Sequence, residues 1–152
     1  MKVNKSVEQA IYVLLILALQ RDHTPVKSRV LSQKLKVSDS YLKKILMTMK
    51  NNNLITAISS KNGGYQLAQP IDKISLKDVF IALELNQEPY DFNHLAYNVF
   101  PDKKHVKQSE DKLYSVLDSA FNNFYNELDK LKLSDLLIDG NYQNGIINWD
   151  NH

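Results

Sequence analysis

The sequence predicts a mainly α-helical protein with one small β-hairpin, in which a winged helix-turn-helix domain is followed by a long C-terminal helix. Three observations predict this order. Three segments with helical spacing precede a hairpin pattern, a short turn separates the second and third helices, and about 28 residues near the C-terminus carry one apolar stripe. We divide the chain into residues 1–85, 86–104, 105–138 and 139–152.

The first helix is predicted from Ser6 to Gln20, because apolar residues recur there at helical spacing. Pro25 ends it, since proline disfavours helix at the preceding residue. The apolar run Ala10–Leu19 is too short to span a bilayer, and no small-residue cleavage site follows it. We therefore expect a buried helix rather than a targeting segment, and no membrane partner.

The second helix, "RVLSQKL", is predicted to follow a cap at Ser28, and "SYLKKILMTMKNN" forms the third, capped by Ser38 or Asp39. Asn53 then tolerates the left-handed conformation in which helices often end. "LITAIS" and "YQLA" read as two strands. The pair Asn62–Gly63 predicts a hairpin turn with positive φ at both residues, and Gly64 allows a further bend.

A fourth helix is predicted in "ISLKDVFIALE", with Ser75 as its cap. Residues 86–104 predict a loop with one short helix, and the long helix is expected from His105 to Lys132. The tail 139–152 is expected either to fray or to dock. The loop segment holds four aromatic residues, Tyr90, Phe92, Tyr97 and Phe100. They could line an effector pocket, form a protein-docking surface or pack in a core. Of these three, core packing is the expectation.

Charge is divided unevenly along the chain. Residues 1–85 hold 13 basic and 6 acidic residues, whereas residues 86–152 hold 6 and 11. A basic first half suits a polyanionic partner such as double-stranded DNA. The chain has no cysteine, which excludes disulfides and thiolate-held metals, and a cytoplasmic location is the simplest expectation. No catalytic motif, no metal-ligand spacing around His94 or His105, and no cofactor site is found, so we predict that the protein is not an enzyme.

The third helix turns its apolar stripe inward and a polar face outward. Hydroxyl, phenol and ammonium groups on that face can donate to phosphates or base edges in a major groove. The hairpin tip and the start of the second helix add further donors. The predicted DNA contacts from these patterns are Ser40, Tyr41, Lys43, Lys44 and Thr48 on the helix, Lys61 and Asn62 at the tip, and Lys27 and Arg29 on the flank.

The motifs "VS-x-SYL", "GGYQLA", "ISLKDVFIALE" and "LKLSDLL", in this order, resemble the Rrf2 family of bacterial winged-helix transcription regulators, with a likeness over about residues 1–138. The resemblance implies a homodimeric repressor on an imperfectly palindromic operator, with the long helix as its dimerisation element. It adds Ser38 to the groove helix, and Ser59 and Gly63 to the wing. It also assigns to the dimer interface Leu113, Leu117, Ala120, Phe121, Phe124, Tyr125 and Leu128.

This chain departs from the family pattern in three places. Ser59–Ser60 stand where the family usually has Arg-Gly, and Asn53 replaces a glycine. The cysteines that hold an iron–sulfur cluster in many members, in the segment matching residues 86–107, are absent, so we expect no cluster and no cofactor. The alternative function is a winged-helix protein-interaction module without sequence-specific DNA binding. A further partner, either an effector or a protein that the sequence does not identify, is compatible with both functions.

Overall fold

The computed structural model describes residues 2–84 and 89–151. The proposed boundary between residues 85 and 86 lies outside the described residues. The helices are α1 Lys5–Leu19, α2 Ser28–Leu35, α3 Asp39–Asn51, α4 Leu76–Glu84, α5 Ala96–Val99 and α6 Lys103–Leu128, and the strands are β1 Ile55–Ile58 and β2 Gly64–Leu67. No described helix is both long enough and apolar enough to cross a membrane.

The core is built around the C-terminal part of α1. Its residues Val13 to Ala18 are all buried, and they share one apolar cluster with the inner faces of α2, α3 and α4. Leu42 and Leu46 of α3 are fully buried in this cluster, as the predicted inward stripe requires. The opposite face of α3 is thereby left outside the core.

The ends of the helices follow local chemistry, with one exception. Ser38 caps α3, and Asn53 has φ 59°, as predicted. Ser75 caps α4 reciprocally, because its hydroxyl accepts from the Asp78 N–H while the Asp78 carboxylate accepts from the Ser75 N–H. The prediction that Ser28 caps α2 is wrong: Lys27 occupies that position, and no side chain makes a capping hydrogen bond there.

The hairpin forms where it was predicted, but its turn differs. β1 and β2 are antiparallel, with Ile58 opposite Gly64, so residues 59–63 form a five-residue loop rather than a two-residue turn. Neither Asn62 nor Gly63 has positive φ; only Gly64 does, at 149°. Both glycines are required by close approach, since a Cβ on Gly63 would lie 1.9 Å from the Ile58 carbonyl oxygen, and one on Gly64 would lie 2.6 Å from that of Val26.

The long helix α6 ends at Leu128, four residues before the predicted end at Lys132. Residues 131–133 instead form backbone hydrogen bonds with the segment that leads into α4. Leu131 accepts from the Leu76 N–H, and the Leu133 N–H donates to Ile74, both at 2.9 Å. This pairing fastens the chain after α6 to the start of α4, with Leu133 fully buried.

The tail docks rather than frays. The N–H groups of Ile146 and Ile147 donate to the Leu19 carbonyl, and the Arg21 N–H donates back to Ile147 at 2.7 Å. The tail therefore lies along the C-terminal end of α1.

Candidate nucleic-acid interface

The start of α3 is capped by the Ser38 side chain. The Ser38 hydroxyl accepts from the Tyr41 N–H at 3.4 Å and lies 3.1 Å from the Ser40 hydroxyl. A serine cap of this kind satisfies an otherwise unpaired helix N–H. Ser38 and Ser40 are both exposed, so the same hydroxyls face solvent at the helix end.

Asp39 forms a side-chain hydrogen bond that joins α2 to α3. Its carboxylate accepts from the Ser32 hydroxyl at 3.2 Å and pairs with the Lys43 ammonium at 3.1 Å. The hydrogen bond from Lys43 is the main cause that lowers the pKa of the Asp39 carboxyl below 3.8. Lys43, one of the predicted DNA contacts, is therefore already engaged by a neighbouring carboxylate.

The outward face of α3 carries the predicted groove residues. Tyr41 is 42% exposed and Lys44 is also exposed, and both point away from the core helices. Met47, at 65% exposed, adds an apolar surface between them and the helix end. Thr48 is half-buried and its hydroxyl donates to the Lys44 carbonyl at 3.1 Å, so Thr48 already uses its one donor within the helix.

The wing is hydrogen-bonded to the segment that leads into α2. Val26 and Tyr65 exchange two backbone hydrogen bonds, of 3.0 and 2.8 Å, so Val26 adds one bridge to the edge of the hairpin. Ser59, Lys61 and Asn62 at the wing tip are exposed. Gly63, also predicted to contact DNA, is buried and donates its N–H to the Ser60 carbonyl, which closes the turn.

The flank at the start of α2 has a neighbour that the sequence did not reveal. Lys27 and Arg29 are exposed and, with Lys34, line a pocket of about 280 Å³ whose other wall is Trp149 and Asp150 of the tail. The tail thus reaches the basic edge of the winged helix-turn-helix. The apolar residues among polar ones in "GIINWDN" were the only signal in the sequence for this docking.

The predicted dimer residues fall into two groups along α6. Leu113 and Ala120 are exposed, and Leu117 and Phe121 are half-buried. Phe124 and Leu128 pack against the core of their own chain, and Phe124 meets Phe80 edge-on at 5.8 Å between ring centroids. Tyr125 in turn contacts the Phe124 ring. The exposed apolar surface therefore lies in the middle of α6, around Leu113 and Ala120.

The segment before α6 forms an exposed aromatic cluster, so the expectation of core packing was wrong. Phe92, Tyr97 and Phe100 are each more than 40% exposed. Tyr90 stacks on Tyr114 of α6 at 5.5 Å. The segment lies against the side of α6, away from the main core.

Near this cluster, His94 meets a carboxylate on α6. His94 Nδ1 lies 2.9 Å from a Glu110 carboxylate oxygen, which also accepts from the Tyr114 hydroxyl at 3.0 Å. Desolvation, and then the hydrogen bond to Glu110, raise the pKa of Tyr114 above 10.0. Across residues 2–84 and 89–151, no three histidine, cysteine or acidic side chains come together to hold a metal ion.

Comparisons with known proteins agree with this architecture. Residues 3–139 match the model of the Rrf2 family, described as an iron-dependent transcriptional regulator. YffB of Lactococcus lactis subsp. lactis, classed by name among HTH-type transcriptional regulators, is 33% identical over 142 residues, covering 93% of this chain and 90% of that protein. YwgB of Bacillus subtilis, classed in the same way, is 35% identical over 105 residues, covering 69% and 67%.

Two solved structures share the fold. The global cysteine regulator CymR of B. subtilis superposes with a TM-score of 0.61 and 22% identity, covering 90% of this chain and 95% of that one. IscR of T. potens gives a TM-score of 0.64 and 19% identity, covering 100% and 97%. At these identities the likeness concerns the fold alone.

Proposed function

Because this chain belongs to the Rrf2 family and is therefore a DNA-binding transcription regulator rather than an enzyme, we propose that it acts as a homodimeric repressor on an imperfectly palindromic operator. Two recognition helices related by a two-fold axis would read half-sites about one helical turn apart. Such a regulator works where the chromosome is, in the bacterial cytoplasm.

The single observation that carries the proposal is the outward face of α3. It presents the Tyr41 phenol and the Lys44 ammonium while Leu42 and Leu46, on the opposite face, are fully buried. An exposed helix face with these donors, fixed to a rigid core, suits insertion into a major groove. Lys27, Arg29 and Lys61 would add phosphate contacts that position the domain without reading sequence.

The proposed dimer rests on the middle of α6, between Leu113 and Ala120. Leu113, at 50% exposed, lies on the same face as Leu117 and Ala120 at helical spacing. An apolar stripe of this kind on an otherwise polar helix is covered when two copies pack together. Phe124 and Leu128 would then join this interface to the core of each chain, since they already pack on it.

Iron is named in the family description, but the residues of this chain do not fit an iron–sulfur centre. The chain has no cysteine, and within residues 2–84 and 89–151 no three histidine, cysteine or acidic side chains come together to hold a metal ion. We therefore assign iron no role in the proposed regulation. The segment 89–104 and its aromatic cluster are the part of the chain that we propose for sensing a signal or a partner protein.

The proposal is tested by selecting bound duplexes from a random pool and titrating the selected duplex against a shuffled one at several salt concentrations. We expect a two-fold-symmetric consensus and a log affinity that falls linearly with log salt, because phosphate contacts release counterions. A selection that returns no consensus, with equal affinity for both duplexes, would reject the operator and favour the protein-interaction module instead.

A further inference from the structure

A cavity of about 560 Å³ lies between the end of β2, the turn Ile71–Lys73 and the tail. Small-molecule sites commonly have volumes in this range. One wall consists of Tyr142 and Gln143, which follow residue 139, where the match to the family ends. The tail therefore supplies part of the cavity wall.

Both sides of the cavity are fixed by hydrogen bonds. On the tail side, His23 Nε2 lies 2.9 Å from the Tyr142 carbonyl oxygen and 3.1 Å from that of Ala18. On the wing side, the Gln66 side-chain amide donates to the His23 carbonyl at 2.8 Å. His23 thus holds the two walls together, and an occupant would touch β2, the strand that returns from the wing tip.

The lining has an apolar portion that suits a hydrocarbon body. Leu67, Ala68, Pro70 and Ile71 follow one another along this wall, and the tail contributes Tyr142 opposite them. Burial of apolar ligand surface against such residues supplies most of the affinity of small-molecule sites, while a few polar groups set the orientation.

The charged group of the lining favours a ligand that donates hydrogen bonds from a cationic group. His23 Nε2 faces two carbonyl oxygens of the protein, so the N–H at this position is used within the fold rather than by a ligand. The only acidic side chain of the lining is Asp72, and the lining holds no lysine or arginine. A carboxylate or phosphate ligand would meet a negative charge with no cation to offset it.

We propose that this cavity binds a small organic ammonium compound, a primary amine carried on an apolar body. The ammonium group would lie by Asp72, and the apolar body would lie between Ile71 and Tyr142. Ligand binding is measured in the absence of DNA, so its result is independent of the operator proposal.

The test uses the full chain and two probes that share a phenyl body, phenethylammonium and phenylacetate. Each is titrated into ¹⁵N-labelled protein while backbone amide shifts are followed. We expect saturable shifts at residues 66–72 and 142–143 with the amine, and affinity for the acid weaker by about ten-fold or more. Asp72→Asn should weaken binding of the amine about five-fold or more by removing the attractive charge. The matched control Asp111→Asn, an exposed aspartate on α6, should leave it unchanged.

Three results would overturn the proposal. The first is the absence of saturable shifts at these amides up to the solubility limit of the amine. The second is binding of phenylacetate as tight as that of phenethylammonium. The third is equal binding of the amine by the Asp72→Asn and Asp111→Asn proteins. Asp72 is exposed, so its variant is expected to keep the fold, and the amide spectrum of each variant reports this directly.

Discussion

The indole N–H of Trp149 donates a 2.8 Å hydrogen bond to the carbonyl oxygen of Ile16, near the C-terminal end of α1. A second bond, from the Trp149 backbone N–H to the Gln20 side-chain oxygen at 3.0 Å, fixes the same residue. The only tryptophan of the chain therefore packs at the C-terminal end of α1, the central helix of the core. Its fluorescence reports whether the tail is docked.

Docking of the tail requires a glycine at position 145. A Cβ there would lie 1.9 Å from the Gln20 carbonyl oxygen, whereas one on Gly140 would meet nothing within 4 Å. Both glycines have positive φ, 68° and 87°, so alanine strains the backbone at either position. We expect Gly145→Ala, but not Gly140→Ala, to shift Trp149 emission to longer wavelength. Equal emission from the two variants would contradict this account of the tail.

The outward face of α3 should determine which DNA sequence the protein prefers. Replacing Tyr41 and Lys44 by alanine should remove preference for the selected operator, since each lost base contact costs about 1–3 kcal/mol of discrimination. Binding to the selected and shuffled duplexes is compared by fluorescence anisotropy. Lys112→Ala removes an exposed lysine from α6 and should leave the preference intact. Full preference in the double variant would show that another surface reads the bases.

The pair Asp39–Lys43 makes a prediction about pH. The hydrogen bond from Lys43 lowers the pKa of Asp39, so the ionised carboxyl supports the fold above pH 3.8, and this support is lost as the pH falls through the lowered pKa. Lys43→Gln should raise the pKa of Asp39 in a ¹³C carboxyl titration. Lys44→Gln, the adjacent exposed lysine, should not change it. A similar rise in both variants would mean that general charge, rather than the Lys43 contact, sets the pKa.

The segment after α6 makes a prediction about stability. Leu133 is fully buried, while Leu136, in the same short turn, is 49% exposed. Leu133→Ala should lower the free energy of unfolding by about 2–5 kcal/mol, because it leaves a cavity. Leu136→Ala should lower it by less than about 0.5 kcal/mol. Urea unfolding gives both values, and equal losses would show that the segment is not fastened to α4 as described.

Local patterns in the sequence predicted most of the winged helix-turn-helix. The inward stripe of α3, its Ser38 cap and the left-handed Asn53 are each determined by residues close in the chain, so spacing and side-chain type are sufficient to predict them. The order of helices and hairpin then indicated the winged helix. The outward position of Tyr41 and Lys44 follows from the same helical periodicity.

Features that depend on distant partners were not predictable in this way. The shape of the wing turn is set by the approach of Gly64 to the Val26 backbone, and α6 ends early because residues 131–133 pair with α4. The cavity beside Tyr142 exists only because the tail returns to α1 and His23. These contacts join segments far apart in the sequence, and no local pattern encodes them.

The central claim is that two copies of the chain, joined through the exposed stripe of α6, present two recognition helices to one operator. Sedimentation velocity of the protein mixed with the selected palindromic duplex tests it most directly. We predict a complex of two chains per duplex, and loss of that complex in Ala120→Glu but not in Asn122→Glu, which places the same charge on another face of α6. A single chain bound per palindrome, or an intact two-chain complex in Ala120→Glu, would contradict the claim.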